Sequence, residues 1–216
     1  CSNCYHISSD HWNVGCSVNP RYHHQEFVPS EINLPKAETK KHVVILGGGP
    51  AGMKAAITAS DRGHKVTIIE KQKELGGMLR FISKEAHKEE VQRLLDYYLT
   101  QIFKREIEVL LNTEADPELV KELQPDSLLI AFGAVERILP IPGVEGEKVQ
   151  LATKAIAHPE QLGQNIVILG GGSIGCEIGL ELAENGKNVT ILELTDTLAA
   201  NANSLYREAL RQKFLL

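Results

Sequence analysis

The sequence predicts an α/β chain made of two doubly wound parallel-sheet domains, the second incomplete, behind an irregular arm that carries cysteines. Three observations predict it. The stretch HVVILGGGPAGMKAAITASDRGHKVTIIE at 42–70 returns as NIVILGGGSIGCEIGLELAENGKNVTILE at 165–193. Short apolar runs bounded by turn residues alternate with helical patterns, as parallel strands joined by crossovers require. Both copies place G-x-G-x-x-G between such a run and a helical pattern.

Along the chain, residues 1–40 are polar, rich in His and Cys, and without a sustained period, so they read as the arm. Val43–Leu46 is a short apolar run of the kind buried strands show, Ala51–Ser60 a helix stopped near Gly63, and Val66–Ile69 the next strand. From Lys88 to Lys104 the spacing puts Val91, Leu94, Leu95, Tyr98, Leu99 and Ile102 on one helical face. IEVLLNT (107–113) and SLLIAFG (127–133) continue the strands, and ERILPIPGVEG (136–146), with its prolines and glycines, is a connection. The second copy supplies strand, helix and strand, followed by an amphipathic stretch around NSLYREALRQKFLL. The expected domains are the arm at 1–40, a first domain at 41–148 and a second, unfinished one at 149–216.

Composition excludes several classes of function. At 43% hydrophobic residues the chain has ample material for globular cores, and a net charge of −5 with interspersed Lys and Arg offers no face to a nucleic-acid backbone. No apolar run is long enough to span a membrane and no signal peptide pattern opens the chain, so a soluble, cytoplasmic protein is expected. Three of the four cysteines fall within the first 16 residues and the fourth, Cys176, stands alone in an expected helix. That distribution suits a local metal site rather than a disulfide framework, with Cys176 a packed small residue.

The glycines explain why the stretch is repeated. In Gly47, Gly49 and Gly52, and again in Gly170, Gly172 and Gly175, the first permits a tight turn, the second admits a pyrophosphate to the backbone, and the third lets helix and strand pack closely. The phosphates would sit at a helix N-terminus. Glu70 and Glu193 end the following strands at the same distance from the first glycine of each copy, where a carboxylate accepts hydrogen bonds from ribose hydroxyls. Two dinucleotides are therefore expected. Glu193 would repel a 2′-phosphate and the following LTDT holds no Arg or Lys, which favours NADH over NADPH.

These residues resemble the flavoproteins with two Rossmann-like dinucleotide-binding domains, in which the N-terminal copy holds FAD and an inserted copy holds NAD(P)H. ELGGM (74–78) looks like that family's glycine pair, and LLIAFGA (128–134) like its A-T-G segment, with Phe132 in place of Thr. The resemblance implies an FAD site at Gly47, Gly49, Pro50, Ala51, Gly52, Glu70, Lys71, Gly76, Gly77, Ala131 and Gly133. It implies an NADH site at Gly170, Gly172, Ser173, Ile174, Gly175 and Glu193.

With C-x-x-C and CSVNP in the arm, and IPGVEG and GGGSIGCE further on, the chain resembles the old yellow enzyme-like NADH:flavin oxidoreductases. Their members include 2,4-dienoyl-CoA reductase, enoate reductase and trimethylamine dehydrogenase. The family order is an FMN-binding TIM barrel, a [4Fe-4S] segment, then the FAD- and NADH-binding module. By that resemblance Cys1, Cys4 and Cys16 match cluster ligands, and Ser8 stands where the family has another cysteine. His6, His11 or Ser8 are alternatives for a fourth ligand, and zinc or a cluster-free arm are competing readings. The barrel, the return strands of the NADH domain and the last FAD segment are missing from the sequence, so a fragment or a subunit needing a partner is expected.

The expected function is an electron-input module that passes hydride from NADH to FAD and electrons onward to an FMN barrel that reduces an enoate- or enoyl-CoA-like substrate. No proton-transfer residue can be named. A disulfide reductase would need a cysteine pair beside the flavin or the nicotinamide, and none lies between Cys16 and Cys176. The non-enzymatic alternative is a nucleotide-binding remnant that holds FAD or ADP without turnover.

Overall fold

The computed structural model describes residues 16–31, 33–84 and 88–215. The described residues form two compact units, one running from His24 to Glu136, the other comprising residues 137–215 together with residues 16–23.

In the first unit, β1 (His42–Leu46), β2 (Lys65–Ile69), β3 (Ile107–Leu110) and β4 (Ser127–Ile130) form one sheet in the order β3-β2-β1-β4. Every pairing is parallel, with Val43 against both Val66 and Ser127, and Val66 against Ile107. The chain leaves β1 toward β2 and β3 on one side and returns on the other as β4. The point where the order reverses is thus the gap between β1 and β4, where open α/β sheets take their ligands.

Helices cover both faces. On one, α1 (Pro50–Asp61) and α3 (Glu89–Phe103) bury Met53, Ala56, Ile57, Leu95, Tyr98 and Ile102 against Ile45, Val66 and Ile68. The α3 face expected from the periodicity packs into this cluster, with Val91, Leu94 and Leu99 at its margin. On the other face a helix the sequence reading did not single out, α4 (Pro117–Leu123), sets Leu119, Val120 and Leu123 against Val44, Leu46 and Ile69. Its start is marked by Asp116, whose carboxylate accepts the Leu119 N–H at 2.8 Å, followed by Pro117. The short helix α2 (Leu79–Ile82) precedes α3.

Far from the strand ends that face the ligand gap, Arg105 after α3 forks onto Asp61 at the end of α1, Nε to Oδ1 at 2.7 Å and Nη2 to Oδ2 at 2.8 Å. This bidentate pair ties the C-terminal ends of the two helices that cover one face. The segment before β1 is irregular but fastened to α1: the Ala37 N–H donates to Arg62 O at 2.9 Å, and Lys54 pairs with Glu31 at 2.8 Å.

The second unit repeats the opening of the first. After α5 (Ala152–Ala157) and a 3-10 turn at Pro159–Gln161 come β5 (Asn165–Leu169), α6 (Ser173–Glu184), β6 (Asn188–Leu192) and α7 (Ser204–Lys213). β5 and β6 pair in parallel, Asn165 against Asn188 through Leu169 against Leu192. The α7 helix buries Leu210 with Ala199 and Cys176, whereas Leu205, Tyr206, Phe214 and Leu215 of the amphipathic stretch read from the sequence stay exposed.

In both units the last glycine of the loop sets how close helix and strand can stand. A Cβ on Gly52 would lie inside the van der Waals radius of Gly47 O, and one on Gly175 inside that of Gly170 O. Backbone cannot yield there as a flexible side chain would. Gly52→Ala is therefore expected to destabilise the first unit by about 1–3 kcal/mol, as overpacking does. Urea denaturation followed by circular dichroism checks this, and an unchanged midpoint would show that the loop and helix can part without cost.

Candidate dinucleotide-binding loops

The first loop leaves β1 at Leu46. Gly47 takes φ +107°, and a Cβ there would run into Ala131 O, just beyond β4. The Gly47 N–H donates to Ile69 O at 2.8 Å and the Ala131 N–H to Leu46 O at 2.8 Å, so the ends of β1, β2 and β4 converge on this turn. Gly48 turns its N–H onto Glu70 Oε2 at 2.7 Å. The other carboxylate oxygen accepts the Gln72 N–H at 2.8 Å, and the side chain is buried.

Gly49 is the N-cap of α1 and adopts ordinary extended backbone, φ −73° and ψ −176°. A Cβ built on it meets no protein atom within 4 Å, so the approach to this residue is open. Pro50 brings no N–H to the first helical position, and the first helix bond is that of Met53 N–H to Gly49 O at 2.9 Å. The N–H groups of Ala51 and Gly52 thus lie in the first turn, where a helix has no carbonyl to give them and an anion is favoured.

The expected glycine pair closes the other side. The Gly76 N–H donates to Gly48 O at 2.9 Å, and a Cβ on Gly77 would stand 3.0 Å from Gly49 Cα. Both glycines have positive φ, +125° and +51°. Gly47, Gly49, Pro50, Ala51, Gly52, Glu70, Gly76, Gly77 and Ala131 are therefore gathered around one loop. Lys71 follows β2 with an exposed side chain, Gly133 lies beyond β4 at φ +74° with no neighbour that a Cβ would meet, and Phe132 is exposed.

The second loop follows the same plan. The Gly170 N–H donates to Leu192 O at 2.8 Å, the Gly171 N–H to Glu193 Oε2 at 2.7 Å, and Glu193 Oε1 accepts from Thr195 N at 2.9 Å. The N–H groups of Thr195 and Gly171 hold the Glu193 carboxyl below the usual carboxylate range, so it is an anion wherever a ribose would meet it. Leu198 rests on Gly171 as Leu75 rests on Gly48, and the Ala199 N–H donates to Gly171 O at 2.6 Å as Gly76 does to Gly48. Ser173, Ile174 and Gly175 open α6 at the place of Pro50, Ala51 and Gly52.

One residue of the second loop was not singled out from the sequence. Asn201 Oδ1 accepts the Ser173 N–H at 3.0 Å, and its Nδ2 donates to Ser173 Oγ at 3.0 Å. A Cβ on Gly172 would lie 3.5 Å from the same Oδ1. The only sequence signal is positional: when the copies are superposed, Asn201 falls opposite Met78 and Ser173 opposite Pro50.

Cys176 is fully buried behind this loop, its thiol donates to Gly171 O at 3.3 Å, and burial pushes its pKa up. It packs, as expected. Of the candidate metal ligands, Cys1, Cys4, His6, Ser8 and His11 lie outside the described residues. Cys16 is within them and accepts the Asn19 N–H at 3.3 Å, and the N–H groups of Asn19 and Val18 lower its pKa. Among the described residues no cluster of three His, Cys, Asp or Glu side chains is placed to hold a metal.

The chain resembles cinnamate reductase of Clostridium sporogenes, 38% identical over 185 residues that cover 86% of this chain and 27% of that protein. It resembles NADH oxidase of Thermoanaerobacter brockii at 38% over 204 residues, 92% of this chain and 31% of that one. The solved complex of 2-naphthoyl-CoA reductase with 2-naphthoyl-CoA superimposes with a TM-score of 0.84 at 33% identity, over 94% of this chain and 30% of that chain. The chain thus spans less than a third of the length of these relatives. Residues 41–215 match the family described as pyridine nucleotide-disulphide oxidoreductase, and the chain belongs to that family.

Proposed function

We propose that the chain is the FAD- and NADH-binding module of a flavin-dependent NADH oxidoreductase, with FAD at the first loop and NADH at the second. The observation that carries the reading is the first loop itself. Its middle glycine has an open approach, its helix end presents N–H groups, and a buried acid stands at the end of β2. The residues present fit a dinucleotide: Gly47, Gly49, Ala51 and Gly52 would hold the pyrophosphate of FAD, and Glu70 would meet its ribose.

In the second loop Gly172, Ser173, Ile174 and Gly175 would hold the pyrophosphate of NADH. The Glu193 carboxylate, an anion fixed by two backbone N–H groups, would accept from the ribose hydroxyls and reject a 2′-phosphate. When bound, FAD takes two electrons and a proton from NADH as hydride and releases them to an acceptor; that chemistry belongs to the cofactors. What the chain supplies is binding, orientation and fixed charge.

The acceptor we propose is an FMN-binding barrel on a further domain or subunit, reducing an enoate- or enoyl-CoA-like substrate. The names of cinnamate reductase and 2-naphthoyl-CoA reductase support that class. Exposed Leu128, Leu129 and Ile130 on β4, and Val167, Leu169 and Leu192 on β5 and β6, support association with more polypeptide, since parallel strands are ordinarily covered on both faces. A [4Fe-4S] cluster at Cys1, Cys4 and Cys16 belongs to the same proposal. Its support is the resemblance of the arm and the N–H groups that favour the thiolate of Cys16. No described helix is long and apolar enough to cross a membrane, and the proposed location is the cytoplasm.

Two measurements test the reading. Anaerobically purified protein is expected to show a flavin absorption band that bleaches on adding NADH; a band that persists would favour a binding remnant without turnover. Gly49→Ala adds a methyl group that no protein atom opposes, so it should leave the melting temperature unchanged while weakening FAD binding on the order of tenfold or more. If fluorescence titration finds FAD binding unaffected by Gly49→Ala, the flavin does not lie on this loop.

A further inference from the structure

The two loops carry the same hydrogen bonds between glycine and acid but differ at the start of the helix. Over the first, the space in front of Gly49 is empty of protein and Pro50 offers no N–H. Over the second, Ser173 keeps its N–H, and that group is already taken by the carboxamide of Asn201. Asn201 also donates to Ser173 Oγ, so it holds the first residue of α6 by both its backbone and its side chain.

We propose that Asn201 is an internal competitor for the dinucleotide phosphate and sets the affinity of the second loop. The inference rests on the reading of that loop as the NADH site. A pyrophosphate drawn to the start of α6 and Asn201 Oδ1 seek the same Ser173 N–H, and the charged oxygen makes the stronger bond. Only the side chain has to leave. The backbone on either side is held by the Ala199 N–H to Gly171 O at 2.6 Å, by burial of Ala199, and by Asn203, which caps α7 through the Tyr206 N–H at 2.8 Å. Asn201 itself is exposed, so once released it is solvated by water.

The difference gives the two copies different tasks. A loop with a free approach retains its ligand, which suits a resident flavin. A loop that must give up two hydrogen bonds of its own holds the ligand less tightly, which suits a nicotinamide that arrives reduced and departs oxidised on every cycle. Asn201 is thus an affinity-determining residue that sorts the second loop toward exchange.

The test uses the full chain with its flavin, NADH and ADP as ligands, and adenosine as the probe that lacks phosphate, in calorimetric titrations. Asn201→Ala should tighten NADH and ADP by about three- to tenfold, the scale of net hydrogen bonds released, and leave adenosine unchanged. Asn201→Asp, which sets a carboxylate against the same N–H, should weaken NADH and ADP relative to the wild type. Unchanged or weaker NADH binding in Asn201→Ala, with the melting temperature preserved, overturns the proposal. Should Asn201→Ala lower the melting temperature, the ratio of ADP to adenosine affinity decides: a ratio raised over that of the wild type upholds the proposal, and an unchanged or lowered one overturns it. Gly172→Ala separates the two levels: if it leaves NADH binding intact, the loop is not the NADH site, whereas NADH binding lost there but indifferent to Asn201 overturns only this inference.

Discussion

The arrangement depends on a carboxylate that reaches from the end of one strand to the loop that ends another. Glu70 Oε2 accepts the Gly48 N–H at 2.7 Å, and Glu193 Oε2 accepts the Gly171 N–H at the same distance. Glycine loops carry several N–H groups that secondary structure does not use, and a loop left to itself would have many shapes. Bonding its middle N–H to an acid on the neighbouring strand removes that freedom. The helix that follows then starts at a fixed place, with its first turn aimed along the ends of the strands. In the first unit the bond is sheltered, because Leu75 lies over Gly48 and the Glu70 side chain is buried.

The close packing of the loop on itself follows from the same bond. With Gly48 held toward Glu70, Gly47 must turn at positive φ, and its carbonyl then points at the helix, where only a residue without Cβ fits at Gly52. Each glycine of the motif thus answers to a different neighbour: the strand end beyond β4, open space, and the loop's own carbonyl. In the second copy the positive φ recurs at Gly170 and the loop's own carbonyl again stands where a Cβ on Gly175 would lie, but a Cβ on Gly170 would meet no protein atom within 4 Å. Between the two units the acids differ in setting, Glu70 buried and Glu193 half-buried, though both keep two backbone donors.

Much of this was legible in the sequence because it rests on local pattern. The strands of both copies, the helix after each loop, the six-residue apolar face of α3 and the burial of Cys176 all depend on spacing along a few turns or a single run. What was not singled out depends on how distant segments meet. Helix α4 is seven residues long with only Leu119, Val120 and Leu123 turned inward, too short for a period to show, although Asp116 and Pro117 mark its start. Leu75 and Leu198 read as ordinary apolar residues until the fold lays them on Gly48 and Gly171. Asn201 is one more polar residue in ANANS until the loop carries it 28 positions back to Ser173.

Duplication makes such residues readable in another way. The two copies close their loops with matching hydrogen bonds, so a difference between them at the mouth of the loop is a difference in chemistry on a common plan. Pro50 against Ser173 removes or supplies a donor, and Met78 against Asn201 removes or supplies its acceptor. The two exchanges are matched: an acceptor with no donor below it would have nothing to hold, and a donor at the start of α6 with no acceptor would be left to solvent or ligand. A paired change of this kind is a constraint on what the loop meets when no dinucleotide is there. It alters what the helix end meets while the hydrogen bonds from each loop to its acid and to its strand end stay the same.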